Sequence, residues 1–354
     1  MMKIVLSGYF GYDNMGDEAI LYSIIEGLKD MKECREIVVF SASPDRTSRR
    51  YDVQAVSRSS LFAVISQLHS ADLLISGGGS LLQDVTSFYS PLYYLGIMQL
   101  GSFLAGRAVF AFQGAGPLES RSIRRLTGFT LKGLDAVSVR DDDSRQLLIS
   151  LGLDPRRVKR IIDPVFLLTP DSLSSQEGRE LGVAVRPWQD DGYLDAVAEG
   201  LDRFLEAEEG FSVSFIPLHP DKDLPAAEYV SSNMNSENCS IITPEKHPRD
   251  IVNTFAGFDL LLGVRLHSLI FATMTGVPCV GIEYDPKVSS FLSQLERKPA
   301  GSTDDITGGD IYEDLSFTWE NRREISAGQR EYALSSRQRI EEHLEYLVCG
   351  EGGS

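Results

Sequence analysis

Short apolar runs alternate along this chain with longer stretches in which apolar residues recur every three or four positions. The short runs predict buried β-strands and the longer stretches predict amphipathic helices, an alternation typical of parallel sheets covered by helices. The alternation breaks at the polar stretch 169–179 and then starts again. We therefore predict an α/β protein with two doubly wound, Rossmann-like domains that face each other across a cleft.

The predicted elements fall into two series. The strands expected from the apolar runs are residues 3–7, 36–41, 71–76, 108–112 and 135–140 in the first series, and 181–186, 211–218, 240–242, 259–262 and 278–283 in the second. We place an N-terminal domain at residues 1–168, a linker at 169–179 and a C-terminal domain at 180–315. Residues 316–354 are expected to form a C-terminal helical segment that ends in a short tail.

Composition narrows the class of protein. With 42% hydrophobic and 24% charged residues, the chain has the make-up of a globular protein. Its net charge of −17 argues against a nucleic-acid partner, because phosphate contacts need a basic face. The four cysteines form no C-x-x-C pair, so neither a zinc site nor a disulfide framework is expected. No apolar run approaches the roughly 20 residues that span a bilayer, and we expect a cytoplasmic protein.

The strongest candidate for chemistry follows the apolar run 258–262, where the sequence continues GVRLHS. In open parallel sheets, ligands bind at the carboxyl ends of strands, where the next helix adds N–H donors. Arg265 offers a planar fork for a carboxylate or phosphate, and His267 can move a proton near neutral pH. The alternative is structural: Arg265 caps a neighbouring helix and His267 packs in the core.

Other strand ends of the second series carry weaker candidates. Tyr284 and Lys287 follow the strand predicted at 278–283, and the lysine could supply a point charge for phosphate. His219 ends the strand predicted at 211–218 and could line the cleft. A lone lysine at a strand end is more often only solvated.

In the first series, residues 8–18 (GYFGYDNMGDE) join the first strand to the first helix. The glycines allow the backbone to approach a ligand closely. The polar side chains of Asp13, Asn14 and Asp17 suit a hydroxylated acceptor such as a sugar, because two carboxylates would repel a pyrophosphate. A tight strand-to-helix turn is the alternative.

Three later strand ends are further candidates. The sequence SGGGS at 76–80 could bind an oxyanion through backbone N–H groups around Gly78 and Gly79, but no lysine of an ATP-binding loop follows. Gln113 ends the next strand and precedes two further glycines. Arg140 ends the strand after that, and we expect it to cross the cleft to a ligand held by the second domain. The alternative is that the aspartates at 141–143 neutralise it.

One helix is unusual in so acidic a chain. The stretch 121–132 sets four cations beside apolar residues, and it could contact a membrane surface or could pack on the sheet with a solvated basic rim. The cations are Arg121, Arg124, Arg125 and Lys132, and the apolar residues are Ile123, Leu126, Phe129 and Leu131.

Taken in order, these motifs resemble the polysaccharide pyruvyl transferase family, and within it the CsaB-type branch. The resemblance runs from residue 3 to about residue 292. The segments that carry it are GxxGxxNxGDE at 8–18, SGGG at 76–79, QGxGP at 113–117, VRD at 139–141, RLH at 265–267 and YDPK at 284–287.

The resemblance implies a two-domain, GT-B-like fold. It also implies transfer of pyruvate from phosphoenolpyruvate onto two hydroxyls of one sugar, as a cyclic ketal, with release of phosphate. For the CsaB type it implies N-acetylmannosamine of a lipid-linked cell-wall polysaccharide precursor as the acceptor, and so a peripheral contact with the inner face of the membrane as an option. It implies neither a metal nor a cofactor; phosphoenolpyruvate is the donor substrate.

The residues that the family associates with the donor site fall here on Arg140, Arg265, His267 and Lys287. We expect His267 to be the general acid–base group, the two arginines to hold the anionic groups and Lys287 to assist phosphate departure.

The expected acceptor side is the first domain, where Asp13 or Asp17 would orient or deprotonate the hydroxyl. The full set of expected substrate-binding residues is Asp13, Asn14, Asp17, Gly78, Gly79, Gln113, His219 and Tyr284. Two alternatives stay open: a GT-B glycosyltransferase that uses a nucleotide sugar, and a non-catalytic carbohydrate-binding protein, which would need neither His267 nor Lys287.

Overall fold

A computed structural model describes residues 1–85, 87–175, 177–189, 191–243 and 247–350. The chain divides into two compact units, the first made of Met1–Leu167 together with the chain from Ser336 onward, and the second of Leu168–Ser335. Each unit holds one sheet, and every strand pair in both sheets is parallel. The predicted pair of Rossmann-like domains is confirmed.

In the described residues, the sheet of the first unit has seven strands in the order β3-β2-β1-β4-β5-β6-β7. The strands are β1 (Met2–Ser7), β2 (Cys34–Ser41), β3 (Gln54–Ser57), β4 (Leu73–Gly77), β5 (Arg107–Gln113), β6 (Ala136–Val139) and β7 (Val158–Arg160). The helices between them are α1 (Met15–Lys29), α2 (Pro44–Tyr51), α3 (Leu61–His69), α4 (Tyr89–Leu104), α5 (Arg121–Lys132) and α6 (Asp142–Ser150).

The second unit repeats this plan with six strands in the order β10-β9-β8-β11-β12-β13 among its described residues. The strands are β8 (Glu180–Ala184), β9 (Ser212–Phe215), β10 (Cys239–Ile241), β11 (Leu260–Gly263), β12 (Cys279–Glu283) and β13 (Gly301–Ser302). The helices are α7 (Tyr193–Ala207), α8 (Pro220–Asn233), α9 (Pro248–Ala256), α10 (Leu266–Thr275), α11 (Pro286–Gln294), α12 (Gly308–Glu320) and the first part of α13 (Arg322–Cys349).

Both strand orders contain a point where the chain reverses its direction of travel across the sheet. In the first unit this switch lies between β1 and β4, and in the second it lies between β8 and β11. Crossovers between parallel strands are almost always right-handed, so the helices before and after the switch cover opposite faces of the sheet. The loops that follow the two switch strands diverge and leave a crevice at their carboxyl ends, where ligands bind in this class of fold.

The predicted C-terminal segment is helical but is shared between the two units. Helix α12 packs on α7 in the second unit, where Ile311 lies against the surface that Gly200 leaves open. Helix α13 begins in the second unit and ends in the first, where Ile340, Leu344 and Leu347 are buried. Their spacing of four and three residues gives that part of the helix one apolar face, which explains its docking. Residues 351–354, the expected tail, lie outside the described residues.

No helix of the described chain has the length and apolar character that a bilayer crossing requires.

The docked end of α13 carries a buried histidine. The ring of His343 lies edge-on to Phe112, with ring centroids 5.4 Å apart, and stacks on Tyr346 at 5.7 Å. Burial, reinforced by the charge of Lys159, lowers the pKa of His343 from 6.5 to about 4. The folded first unit therefore holds this histidine neutral well below the pH at which it would be protonated in an unfolded chain.

We predict that acidification destabilises the protein through His343. Between pH 6.5 and about 4 the unfolded chain binds a proton that the folded chain does not, so the free energy of unfolding falls by up to about 1.4 kcal/mol per pH unit from this group. His343→Phe keeps an aromatic ring and removes the titration. Urea unfolding at several pH values should show a shallower acid loss for His343→Phe than for the wild type, and parallel curves would contradict the assignment.

Candidate functional site

The carboxyl edge of the second sheet gathers side chains from four adjacent strands. These are His219 after β9, Arg186 after β8, Arg265 and His267 after β11, and Tyr284 and Lys287 after β12. The strands lie side by side in the order β9-β8-β11-β12. Residues separated by more than 100 positions in sequence therefore lie at one edge of the sheet, with Arg186 and Arg265 flanking the switch point.

Arg265 is held by a carboxylate that the motif does not contain. Its Nε donates to Asp223 Oδ2 at 2.6 Å, and its Nη2 donates to Oδ1 of the same residue. Asp223 lies in the first turn of α8, is fully buried, and also accepts from the backbone N–H of His219 at 2.8 Å. Nη1 of Arg265 has no protein partner in the described part of the chain. Arg265 is thus tied to the first turn of α8 by an ion pair rather than as a helix cap, and it keeps one nitrogen for a ligand.

His219 lies beside this ion pair. Its side chain is buried, and Nδ1 has no hydrogen-bond partner among the described residues. Burial first, and then the nearby charges of Lys222 and Arg265, lower the pKa of His219 below its ordinary value. The imidazole is therefore neutral near pH 7 and can accept a proton or a hydrogen bond from a ligand.

His267 and the start of α10 lie next to Arg265. His267 is the second residue of the helix and is half-buried, with its ring centroid 6.4 Å from that of Phe271. No side chain among the described residues caps α10. The N–H groups of its first turn and the partial positive charge of the helix end therefore lie at the carboxyl edge of the sheet.

Tyr284 and Lys287 form one local group after β12. The Lys287 Nζ lies 3.3 Å from Asp285 Oδ2 and 4.8 Å from the centre of the Tyr284 ring. Asp285 also caps α11, because its side chain accepts from the backbone N–H of Lys287 at 3.1 Å. The lysine is thus oriented by its own helix cap, and it remains partly exposed at the edge of the sheet.

Arg186 was not among the residues expected at this edge. Its guanidinium lies 4.6 Å from the centre of the Tyr284 ring and 4.9 Å from that of Trp188. Among the described residues it forms no ion pair, in contrast to Arg265. A sequence pattern indicates it. A Val-Arg pair begins at the last residue of β6 (139–140), and Val-Arg pairs directly follow β8 (185–186) and β11 (264–265).

The loop 8–18 of the first unit is fixed by buried carboxylates. Glu18 accepts from the backbone N–H of Gly11 at 2.7 Å and from the Tyr51 hydroxyl at 2.6 Å. Asp13 has a left-handed backbone and pairs with Arg46 at 2.5 Å and with Arg50 at 3.4 Å. Two arginine side chains thus hold Asp13 in the loop, and its role toward an acceptor hydroxyl stays a prediction.

Asn14 and Asp17 have a different environment. Asn14 caps α1 by accepting from the Gly16 N–H at 3.2 Å, and its amide donates to Asp17 Oδ2 at 2.5 Å. A Cβ on Gly79 would lie 2.6 Å from Asp17 Oδ1. Gly78 and Gly79 both have left-handed backbones (φ +83° and +74°), and a side chain on Gly78 would overlap Ile20. The SGGG turn therefore packs directly on α1, and its glycines are required for that contact.

The packing of the SGGG turn on α1 bears on the oxyanion that we expected it to bind. The Asp17 carboxylate lies against Gly79, and the N–H of Gly78 donates to the Ala111 carbonyl at 3.4 Å. A negative charge at this position disfavours an oxyanion, whereas a carboxylate suits the hydroxyl of a sugar. The oxyanion cradle stays a prediction, and the Asp17 carboxylate beside Gly79 weighs against it.

Gln113 and Arg140 are anchored within the first unit. The amide of Gln113 donates to the Ser76 carbonyl at 2.5 Å and so links β4 to β5, while its Oε1 is buried with no partner in the described chain. Arg140 donates to Asp163 Oδ2 at 3.1 Å and to Ser80 Oγ at 2.8 Å. Its side chain is almost fully buried.

These contacts agree in part with the structural alternative for Arg140, because Asp141 forms one of its ion pairs, and they add Asp163 as a nearer partner. The Arg140 side chain, which we expected to reach a ligand across the cleft, contacts Asp163 and Ser80 of its own unit. Its main partner is Asp163, since Asp141 Oδ2 lies 3.9 Å from Nε. Arg140 therefore joins the ends of β4 and β6 to the 3-10 helix at Pro164–Leu167.

The basic helix α5 provides less apolar surface than expected. Ile123 and Leu131 are fully buried against the sheet, and only Phe129 of the four apolar residues is well exposed. Arg124 is also engaged, because its guanidinium donates to the Leu118 carbonyl at 3.2 Å. Packing on the sheet with a basic rim, the alternative weighed for this stretch, describes α5.

Among the described residues, no group of three or more His, Cys, Asp or Glu side chains could hold a metal ion.

Comparison with known proteins connects this geometry to a chemistry. Residues 14–286, more than half of the chain, match the family described as polysaccharide pyruvyl transferase. The chain belongs to this family. It is therefore a transferase enzyme of polysaccharide biosynthesis, and the matched range begins at the N-cap of α1 and includes the ends of β11 and β12.

A curated relative of this pyruvyl transferase is the amylovoran biosynthesis protein AmsJ of Erwinia amylovora. The two are 21% identical over 397 residues, which cover 92% of this chain and 94% of AmsJ.

Solved structures share the fold at much lower identity. HepE of Anabaena in complex with UDP-glucose matches with a TM-score of 0.64 at 12% identity, covering 99% of this chain and 98% of HepE. A UDP-GlcNAc 2-epimerase of Neisseria meningitidis matches with a TM-score of 0.63 at 11% identity, covering 98% and 100% of the two chains. At such identities the likeness shows the fold alone, and it supports the predicted GT-B-like class.

We predict that the Asp223 carboxylate maintains the Arg265 site of the pyruvyl transferase. Asp223→Ala leaves a largely buried guanidinium and the His219 N–H without an acceptor, and loss of one partner of a buried pair costs about 3–5 kcal/mol. Asp221→Ala, an exposed carboxylate in the same helical turn, should change the free energy of unfolding by less than about 0.5 kcal/mol. Urea denaturation of the two variants checks this, and equal losses would contradict it.

Proposed function

We propose that this pyruvyl transferase moves pyruvate from phosphoenolpyruvate onto two hydroxyl groups of one sugar, forms a cyclic ketal and releases phosphate. The observation that carries the proposal is the concentration of cationic groups at the carboxyl edge of the second sheet. Arg186, Arg265, Lys287 and the start of α10 lie at this edge, in a chain whose net charge is −17. Asp223 and Asp285 orient Arg265 and Lys287, and Arg186 has no ion pair among the described residues. Phosphoenolpyruvate brings a carboxylate and a phosphate, about three negative charges, which such a set can bind.

The reaction needs proton transfer at two atoms. C3 of the enol takes a proton and becomes a methyl group, which makes C2 electrophilic. One sugar hydroxyl adds to C2, and the second hydroxyl then displaces phosphate from the same carbon. Of the two hydroxyl protons, one replaces the proton delivered to C3 and the other leaves on the phosphate.

The residues of the second unit divide this work. His267, at the start of α10, is the proposed general acid–base group for C3 and the hydroxyl. Nη1 of Arg265 and the guanidinium of Arg186 bind the carboxylate and phosphate, and Lys287 supplies charge to the departing phosphate. His219, kept neutral by burial, accepts a hydrogen bond from the substrate through Nδ1.

The acceptor side of the proposal rests on the first unit. Asp17, aligned by Asn14 and lying against Gly79, is the carboxylate best placed to orient a sugar hydroxyl. Arg140 and Gln113 support the neighbouring strand ends. The resemblance to the CsaB-type branch supports N-acetylmannosamine of a lipid-linked cell-wall precursor as the sugar, and the relation to an amylovoran biosynthesis protein supports a polysaccharide pathway.

The same proposal includes location. Phosphoenolpyruvate is a metabolite of the cytoplasm, so we place the enzyme there, with a peripheral contact at the inner membrane face where a lipid-linked acceptor is presented.

The function is tested by incubating the protein with phosphoenolpyruvate and a panel of N-acetylhexosamine glycosides. Release of phosphate together with a product heavier by one pyruvate ketal supports the proposal. UDP-sugars in parallel reactions test the nucleotide-sugar alternative. Sugar transfer from a UDP-sugar, with no phosphate release from phosphoenolpyruvate, would overturn the proposal.

We predict that His267→Ala lowers kcat by about 10²–10⁴-fold, the usual contribution of a positioned acid–base group, while phosphoenolpyruvate still binds. His69→Ala, at an exposed histidine in the last turn of α3, serves as the control and should match the wild type. Steady-state kinetics and calorimetric titration of phosphoenolpyruvate separate the two effects. A His267→Ala enzyme with more than about a tenth of the wild-type kcat would remove this residue from the proton transfer.

We also predict that activity persists after exhaustive chelation. Arginine, lysine and a helix N-terminus supply the positive charge that a metal would otherwise provide. Phosphate release measured after dialysis against EDTA should equal that of untreated enzyme. Loss of activity that magnesium or manganese restores would contradict the mechanism.

A further inference from the structure

The first unit exposes large apolar side chains at the starts of α3 and α4. Leu61 is 64% exposed, Phe62 is 87% exposed and Tyr89 is 79% exposed, and Ile65 and Phe88 are also exposed. Both helices run antiparallel to the strands that they connect, so they begin at the carboxyl edge of the sheet, the edge that carries Asp17. Contiguous apolar exposure of this kind marks an interaction site rather than a solvated surface.

Between these helices lies an open groove of about 620 Å³. Its lining is mixed: Leu61 and Val64 of α3 and Leu92, Ile97 and Leu100 of α4 supply an aliphatic part, and serines, tyrosines and Arg58 supply the rest. Gly96 forms part of one wall, and a Cβ at this position would meet no atom within 4 Å. The volume is in the range of sites that bind small ligands, and the lining suits a hydrocarbon chain.

A cation and aromatic rings close one end of the groove. The Arg58 guanidinium lies 4.3 Å from the centre of the Tyr93 ring and 5.4 Å from that of Tyr12, and it donates to the Tyr94 hydroxyl at 3.2 Å. Tyr12 stacks on Tyr9 with ring centroids 4.1 Å apart. Both of these tyrosines belong to the loop 8–18, which also carries Asp17.

Arg58 differs from the other buried arginines near the strand ends of this unit. Arg50 pairs with Asp13, and Arg140 pairs with Asp163. Arg58 forms no ion pair within the described ranges, although the chain as a whole is strongly acidic. An arginine that is held by aromatic rings and lacks a carboxylate partner is complementary to an anionic ligand such as a phosphate.

We propose that this groove binds the acceptor lipid: Arg58 binds the phosphate that links sugar to lipid, and the hydrocarbon chain lies between α3 and α4. This inference rests on the proposed function, because it locates the acceptor of that reaction. The loop 8–18, which carries Asp17, also supplies Tyr12, and Tyr12 contacts Arg58 and lines the groove. Groups for the hydroxyl, the phosphate and the hydrocarbon of such a molecule are therefore connected through this loop. In this binding mode the hydrocarbon of the lipid is enclosed between two helices. In simple contact with a membrane surface, only exposed side chains would touch the lipid.

Two substitutions probe the two parts of the site. Gly96→Leu fills the groove, and because the position is helical and open, leucine should favour the helix rather than disturb it. Gly328→Leu is its matched control, since Gly328 is also an open helical glycine, in α13.

Arg58→Gln removes the cation. Arg49→Gln, at an exposed arginine of α2, is its control. Leu61→Glu, at the exposed rim of the groove, gives a second groove variant.

Binding is measured without phosphoenolpyruvate, by calorimetric titration with farnesyl phosphate as the long chain and geranyl phosphate as the short one, in detergent-free buffer below their critical micelle concentrations. The wild type should bind the long chain at least about tenfold more tightly, because added methylenes leave water. Gly96→Leu and Leu61→Glu should reduce that preference to less than about twofold, and Arg58→Gln should weaken both ligands alike. The two control variants should behave as the wild type does.

Three results would overturn the proposal: wild-type affinity that does not depend on chain length, a Gly96→Leu protein that keeps the wild-type preference, or equal binding to phosphatidylcholine vesicles without polyprenyl phosphate. The last result would indicate a membrane surface as the occupant. A protein that shows the predicted chain-length preference but releases no phosphate from phosphoenolpyruvate would overturn the proposed function alone. Wild-type turnover of a long-chain acceptor by Gly96→Leu would count against the groove alone.

Discussion

The handedness of parallel crossovers is the constraint on which the rest of this structure depends. Because each helix returns the chain in a right-handed sense, a sheet that grows first to one side of its first strand and then to the other must open at the switch point. Both units use this arrangement, at β1–β4 and at β8–β11. This arrangement determines where the candidate functional side chains lie. Each candidate residue lies at the end of a parallel strand, on the loop that follows it or in the first turn of the next helix, where side chains distant in sequence lie close in space.

Within the second unit, the ion pair between Arg265 and Asp223 is the strongest fixed interaction at this edge. It orients the guanidinium and leaves Nη1 for a ligand. Burial first, and then the charges of Lys222 and Arg265, lower the pKa of the adjacent His219, while Asp223 opposes that shift. Arg186 carries a second cation that is held by aromatic rings instead of a carboxylate. The edge therefore combines one compensated and one uncompensated arginine, which gives it both a defined geometry and a net attraction for an anion.

The sequence predicted the buried strands well, because a parallel strand covered on both faces is a continuous apolar run. It did not predict the short edge strands β3, β7 and β13, in which polar residues interrupt or replace such a run. Helix α8 was also not predicted. It begins at a proline and contains Pro225, and proline disfavours the interior of a helix, so the stability of α8 comes from packing.

The strand-end rule placed Arg265 and His267 at one edge of the sheet, where the structure has them. It could not supply their partners: Asp223 lies 42 positions from Arg265, and only the packing of α8 brings the two together.

The central claim is that the carboxyl edge of the second sheet binds phosphoenolpyruvate. A crystal structure of the protein with phosphoenolpyruvate bound tests this most directly. We expect the phosphate and carboxylate to contact Nη1 of Arg265, the guanidinium of Arg186 and the first-turn N–H groups of α10, with C3 of the enol within reach of His267. Phosphoenolpyruvate bound instead at the glycine turn that follows β4, or an Arg265 that keeps Asp223 as its sole partner in the complex, would contradict the account.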